Sequence, residues 1–216
     1  MTTSLGALLA LAIIPAVAQA AQIAASVNDD SGRPVADAVV VAVPVDALRA
    51  LPDRVPTRMV DQVDKEFVPK VLAVRVGTSV TFPNHDNVRH HVYSFSPAKR
   101  FELPLYAGVP AEPVVFDKPG VVVLGCNIHD WMLGYVYVSE SPYFAKTKGD
   151  GKAVIELPPH AYVVRVWHPQ LDGDEKATSR TIDVTRSGKV DAVWKVTLKP
   201  EVRVRRAPIP SPGRGY

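Results

Sequence analysis

Val121-Val-Val-Leu-Gly-Cys126-Asn-Ile-His129-Asp-Trp-Met132-Leu-Gly-Tyr-Val-Tyr-Val138 is the stretch on which the reading of this chain turns. Its two ends are apolar, β-branched and aromatic, and each is bounded by glycine. Such runs read as strands, Val121–Cys126 and Gly134–Val138. The segment between them is then a short loop that carries a cysteine, a histidine and a methionine at the spacing C-x2-H-x2-M. Taken singly, each residue fits a bland role: a buried thiol, a core histidine, a packing methionine. Together they form a ligand set. A second histidine source lies upstream at His90-His91, at the start of another strand that runs to Phe95. One thiolate and two imidazoles suit copper, and a weak thioether completes such a site axially. Zinc fits less well, because structural zinc sites use four Cys and His ligands.

The pattern continues outward from that loop. Val68–Val76 alternates and meets Gly77-Thr78, Val80–Phe82 is a strand, and Pro83-Asn-His-Asp86 ends it. Val114–Phe116 is a further strand, and Asp117-Lys-Pro-Gly120 reads as a hairpin turn. Before this block, Gln22–Val27 and Asp37–Val43 read as strands around the turn Asn28–Pro34, and Asp46–Arg58 has room for one short helix. After it, Ala153–Leu157, Tyr162–Trp167, Thr181–Val184 and Ala192–Leu198 read as strands. No helical period persists and no internal repeat is present. With 20 prolines and valine dominating, the chain is predicted to be all-β.

These residues resemble the cupredoxins. The loop shares the amicyanin spacing, and Phe67-Val-Pro-Lys-Val-Leu-Ala-Val-Arg-Val-Gly-Thr-Ser-Val-Thr-Phe-Pro-Asn-His-Asp86, followed by His90-His-Val-Tyr-Ser-Phe95, is similar to the family's approach to its first ligand. The resemblance implies a Greek-key cupredoxin β-sandwich that holds one copper ion, Cu(I) or Cu(II), through His90, Cys126, His129 and Met132. Neighbours on a strand face opposite sides, so only one of His90 and His91 can point at the metal. The family pattern selects His90 and puts His91 where the family has an asparagine that ties two loops together. Whether His91 also competes for the metal stays open. Asn127, Ile128 and Asp130 depart from the family pattern beside the ligands. Trp131 and Tyr135 are expected to pack as core residues or to shield the site. His85 reads as a loop residue and His168 as structural.

The flanking blocks resemble a carboxypeptidase-regulatory-like domain, an Ig- or transthyretin-like β-sandwich. Asp30-Ser-Gly-Arg-Pro-Val-Ala-Asp-Ala-Val-Val is similar to its opening, and Gly149–Val166 to its later half. The expected organisation is therefore a signal peptide (1–20), the first part of the sandwich (21–57), the cupredoxin domain (58–138), the second part of the sandwich (139–200) and a basic tail (201–216). This layout resembles proteins labelled methylamine utilisation or plastocyanin-like proteins.

The apolar run Leu5–Val17 with Ala18-Gln19-Ala20 fits an export signal, although no basic residue precedes it. Export implies a periplasmic location with no stable membrane span after cleavage. The one cysteine cannot pair within the chain, and a metal would occupy it. The net charge is +3, and six basic residues against one acid lie from Lys195 onward. The body is close to neutral, which gives no footprint for nucleic acid. The function expected is a one-electron carrier serving a periplasmic redox partner protein, with copper handling or scaffolding as the alternative. A copper enzyme needs more ligands than six histidines with no His-x-His pair provide, so no catalytic residues are assigned.

Overall fold

The computed structural model describes residues 21–46, 56–110, 112–185 and 188–200. The expected signal peptide, residues 47–55 of the helix expected over Asp46–Arg58, and the expected basic tail lie outside these residues, and Arg58 itself is in a strand. In chain order the strands are β1 (Ala21–Asp29), β2 (Val39–Pro44), β3 (Arg58–Met59), β4 (Asp61–Val63), β5 (Glu66–Val68), β6 (Val71–Arg75), β7 (Thr78–Thr81), β8 (His90–Ser96) and β9 (Lys99–Tyr106). They continue as β10 (Val114–Phe116), β11 (Gly120–Gly125), β12 (Leu133–Ser139), β13 (Tyr143–Lys146), β14 (Lys152–Leu157), β15 (Ala161–Trp167), β16 (Arg180–Asp183) and β17 (Lys189–Val196). One 3-10 turn spans Glu175–Thr178, and no α-helix occurs among the described residues. The chain is all-β.

Four sheets stack as layers. The outermost has the order β14-β1-β17, and next to it lies β13-β2-β15-β16. Both combine strands from before and after the middle of the chain. Ile23, Val40, Val164 and Trp194 pack between them. The third layer is β6-β12-β11-β8-β9 and the fourth is β10-β7-β3. Between these two lies a second core with Val80, Phe116, Leu124, Cys126 and Met132. Neighbours β6 and β12, or β8 and β11, are distant in sequence, so the chain crosses between the two sheets as it does in Greek-key sandwiches.

Burial explains which strands alternate. β14 faces water on one side, and only Ala153, Ile155 and Leu157 are buried. β2 and β12 are covered on both faces and lose the alternation. Val40 and Ala42 enter the first core, while Val39 and Val41 face Val71 and Tyr137 in a third apolar cluster between the second and third layers. Tyr135 meets Trp167 edge-on and Tyr137 meets it at a tilt, with ring centroids 5.9 and 5.3 Å away. Arg165 closes the edge of that contact. It pairs with Glu140 and stands 2.9 Å from Glu175, which also accepts a hydrogen bond from the Tyr137 hydroxyl at 3.2 Å.

Some local readings change. Asp117–Gly120 is no hairpin turn: β10 and β11 belong to different sheets, and the turn carries the chain across the sandwich. β9 was not anticipated. It is an edge strand with charged residues and Pro104, which weakens any strand signal. Its pairing with β8 slips at that proline, since His90 faces Tyr106 but Val92 faces Leu103.

Candidate metal centre

β8 and β11 meet at one end of the inner sandwich, where Gly125 pairs with Tyr93. The Tyr93 ring lies over Gly125 so closely that a Cβ there would meet its Cζ at 2.7 Å. Cys126 therefore leaves β11 next to the start of β8. The loop then turns back, closed by the Met132 amide donating to the His129 carbonyl at 2.9 Å, and β12 begins at Leu133. The C-x2-H-x2-M spacing is the length of this turn.

His90, Cys126 and His129 converge. Their ligand atoms lie within 4.8 Å of one another. Cys126 Sγ is 3.7 Å from His90 Nδ1, and the two imidazole centroids are 5.1 Å apart. His90 is fully buried and Cys126 is buried. The Ile128 amide donates to Sγ at 3.4 Å, which stabilises negative charge on sulfur. His129 Nδ1 is buried and has no hydrogen-bond partner. A bare polar atom in that position costs free energy unless something binds it. Burial, then the neighbourhood of His90 and Lys65, push the His129 pKa down against an opposing pull from Asp86, which favours the neutral imidazole that ligates. Bare nitrogen, thiol and imidazole fit a thiophilic metal ion.

Met132 is buried in the same apolar cluster as Cys126, at the end of the loop. His91 does not join the three. Its Nδ1 accepts a hydrogen bond from the Asn127 side chain at 2.7 Å, and its Nε2 lies 2.9 Å from Glu102 Oε1. His85 is exposed, with Nδ1 2.8 Å from both carboxylate oxygens of Asp61. His168 accepts from the Gln170 amide at 3.2 Å in the outer layers. The Trp131 ring covers His129 at 5.0 Å, whereas Tyr135 packs on Trp167 rather than at the site.

One residue was missed by sequence reasoning. Asp86 Oδ2 lies 2.6 Å from His90 Nε2 and accepts the Lys65 amide at 2.9 Å. Burial pushes its carboxyl up, but the hydrogen bonds from His90, Lys65 and Asp64 outweigh that and leave its pKa below the ordinary value. Asn84 fixes the turn beneath it, accepting the Asp86 amide at 3.0 Å and donating to the Val88 and Tyr106 carbonyls at 2.9 Å. The only available signal was an acid four residues before a histidine, which is common in loops.

No protein-family model and no curated protein matches the chain. Solved structures of cupredoxins are similar to part of it. A copper-containing nitrite reductase from Thermus scotoductus SA-01 is 31% identical over 45% of this chain, with a TM-score of 0.38, and the match spans 25% of that enzyme. A purple cupredoxin from Nitrosopumilus maritimus is 28% identical over 38% of this chain and 98% of its own, with a TM-score of 0.33. A variant of amicyanin in its Cu(I) form is 24% identical over 38% of this chain and 82% of its own, with a TM-score of 0.35.

Proposed function

We propose that residues 58–138 are a cupredoxin domain that binds one copper ion through His90, Cys126, His129 and Met132, and that the protein is an exported, periplasmic one-electron carrier. The observation that carries this is the convergence of ligand atoms of His90, Cys126 and His129 within 4.8 Å, with His129 Nδ1 buried and without a partner. Copper bound there supplies the Cu(I)/Cu(II) couple. The chain's own residues keep the site rigid. His90 is locked from behind by Asp86, and Cys126 takes the Ile128 amide. Asn127 fastens the loop to His91. A site that barely moves when its charge changes by one suits electron transfer better than catalysis, since nothing must rearrange around a substrate.

Export rests on the apolar run Leu5–Val17 and the Ala18-Gln19-Ala20 cleavage pattern. We read the outer two layers as the flanking sandwich into which the copper domain is inserted, joined to it by Tyr137, which packs on Trp167 and donates to Glu175. That sandwich would present the carrier to a periplasmic redox partner.

The test is the visible and EPR spectrum of the Cu(II)-loaded protein beside Cys126→Ala. An intense thiolate-to-copper band with narrow copper hyperfine splitting, lost in the variant, is the expected result. A colourless protein that still takes up Cu(I) would replace the carrier by a copper-handling role. No copper binding at all would sink the assignment.

A further inference from the structure

His90 is the most deeply buried ligand candidate, and its orientation has to come from somewhere. An imidazole whose Nδ1 faces a metal must carry its proton on Nε2, and the partner of Nε2 decides that tautomer. Here the partner is a carboxylate. Asp86 Oδ2 stands 2.6 Å from His90 Nε2, with the Asp86 side chain 9% exposed and that of His90 0%. A carboxylate only accepts, so Nε2 donates, and the neutral ring that can ligate then has its bare nitrogen at Nδ1, 3.7 Å from Cys126 Sγ. Asp86 also takes the Lys65 backbone amide on Oδ2 and a backbone hydrogen bond from Asp64, and these amides bring no net charge. Among the described residues, the side chain that meets Asp86 Oδ2 is that of His90. The negative charge is therefore directed at the ligand side of the site.

Resting on the copper assignment above, we infer that Asp86 is a positioning residue for His90, fixing its Nε2–H tautomer, and that its charge biases the bound ion towards Cu(II). The charge term follows from electrostatics. A fixed anion attracts the doubly charged ion more than the singly charged one, so it lowers the reduction potential. A backbone carbonyl in the same place would orient the ring equally well and exert a weaker bias.

Two variants separate orientation from charge. Asp86→Asn keeps an acceptor oxygen for Nε2–H and removes the charge. Asp86→Ala removes both. In the metal-free, 15N-labelled protein, NMR of the imidazole nitrogens should show the Nε2–H tautomer for His90 in the wild type and in Asp86→Asn, and loss of that preference in Asp86→Ala. With copper, Asp86→Asn should keep the visible band while Cu(II) binds about 10-fold more weakly and Cu(I) binds nearly unchanged. That difference is an upward shift of about 59 mV for one electron. An unchanged tautomer in Asp86→Ala overturns the positioning role. An unchanged potential in Asp86→Asn overturns the charge role. Failure of the wild type to bind copper removes the metal assignment and the charge role with it, while the metal-free NMR still decides whether Asp86 orients His90.

Discussion

The Asn127 side chain donates a 2.7 Å hydrogen bond to His91 Nδ1, and that bond ties the loop of Cys126 and His129 to the strand of His90. Two neighbouring histidines thus divide the work. His90 turns inward to the site, and His91 holds the loop that completes it.

Replacing His91 should therefore weaken the fold without removing the site. We expect His91→Ala to cost about 1 kcal/mol, the usual worth of one partly buried hydrogen bond, in urea denaturation of the metal-free protein. The thiolate-to-copper band should survive in the loaded protein. Its disappearance in His91→Ala, with the fold retained, would make His91 a ligand and the assignment of His90 alone wrong.

Gly134 lies beside the loop on β12, and a Cβ there would meet Phe67 Cβ at 2.9 Å and Cδ2 at 3.0 Å. Phe67 is buried in the second core. Gly134→Ala should cost about 1–3 kcal/mol by overpacking, read as a lower denaturation midpoint with an unchanged m-value. A neutral result would show that Phe67 shifts freely, against the packing described here.

Arg165 links Glu140 and Glu175 across the contact between the second and third layers. Arg165→Met keeps much of the apolar stem and removes the charge, leaving two carboxylates near each other. Discounted for partial exposure, the loss should be about 1–3 kcal/mol. Adding Glu175→Gln should recover part of it, as a double-mutant cycle would show. Strict additivity of the two changes would mean that Arg165 and Glu175 are not coupled.

Asp29 holds the turn after β1. Its carboxylate accepts from the Ser31 hydroxyl at 2.7 Å and from the Ser31 and Arg33 amides at 2.9 Å, and its pKa falls to about 2, chiefly through the Ser31 hydroxyl. A folded pKa below the unfolded value means that the contribution is complete above about pH 4 and is lost as pH falls towards 2. Melting temperatures between pH 5 and 2 should drop more steeply for the wild type than for Asp29→Asn. Parallel curves would exclude Asp29 as a contributor to the acid sensitivity.

The loop from Cys126 to Met132 was legible because its ligand types are adjacent in sequence and bounded by two apolar strands. β14 was legible because one face meets water and the residues alternate. β2 read as a buried strand from its unbroken valines, but the two surfaces those valines cover could not be told from that run. β3, β4, β5, β9 and β13 were missed, the first three being only two or three residues long. β9 is a charged edge strand, and β13 is only four partly buried residues.

Sequence alone determined the all-β class, the ligand types at their loop spacing, and the rule that His90 and His91 point apart. Those properties are local: they follow from alternation along a strand and from the reach of a short turn. Tertiary structure decided which histidine faces inward, because that depends on where β11 meets β8. It also brought Asp86 behind His90 and Glu175 against Arg165, and it set the order of the four layers. Alternation says that a strand has two faces, and only pairing with strands far along the chain determines which face is covered and by what.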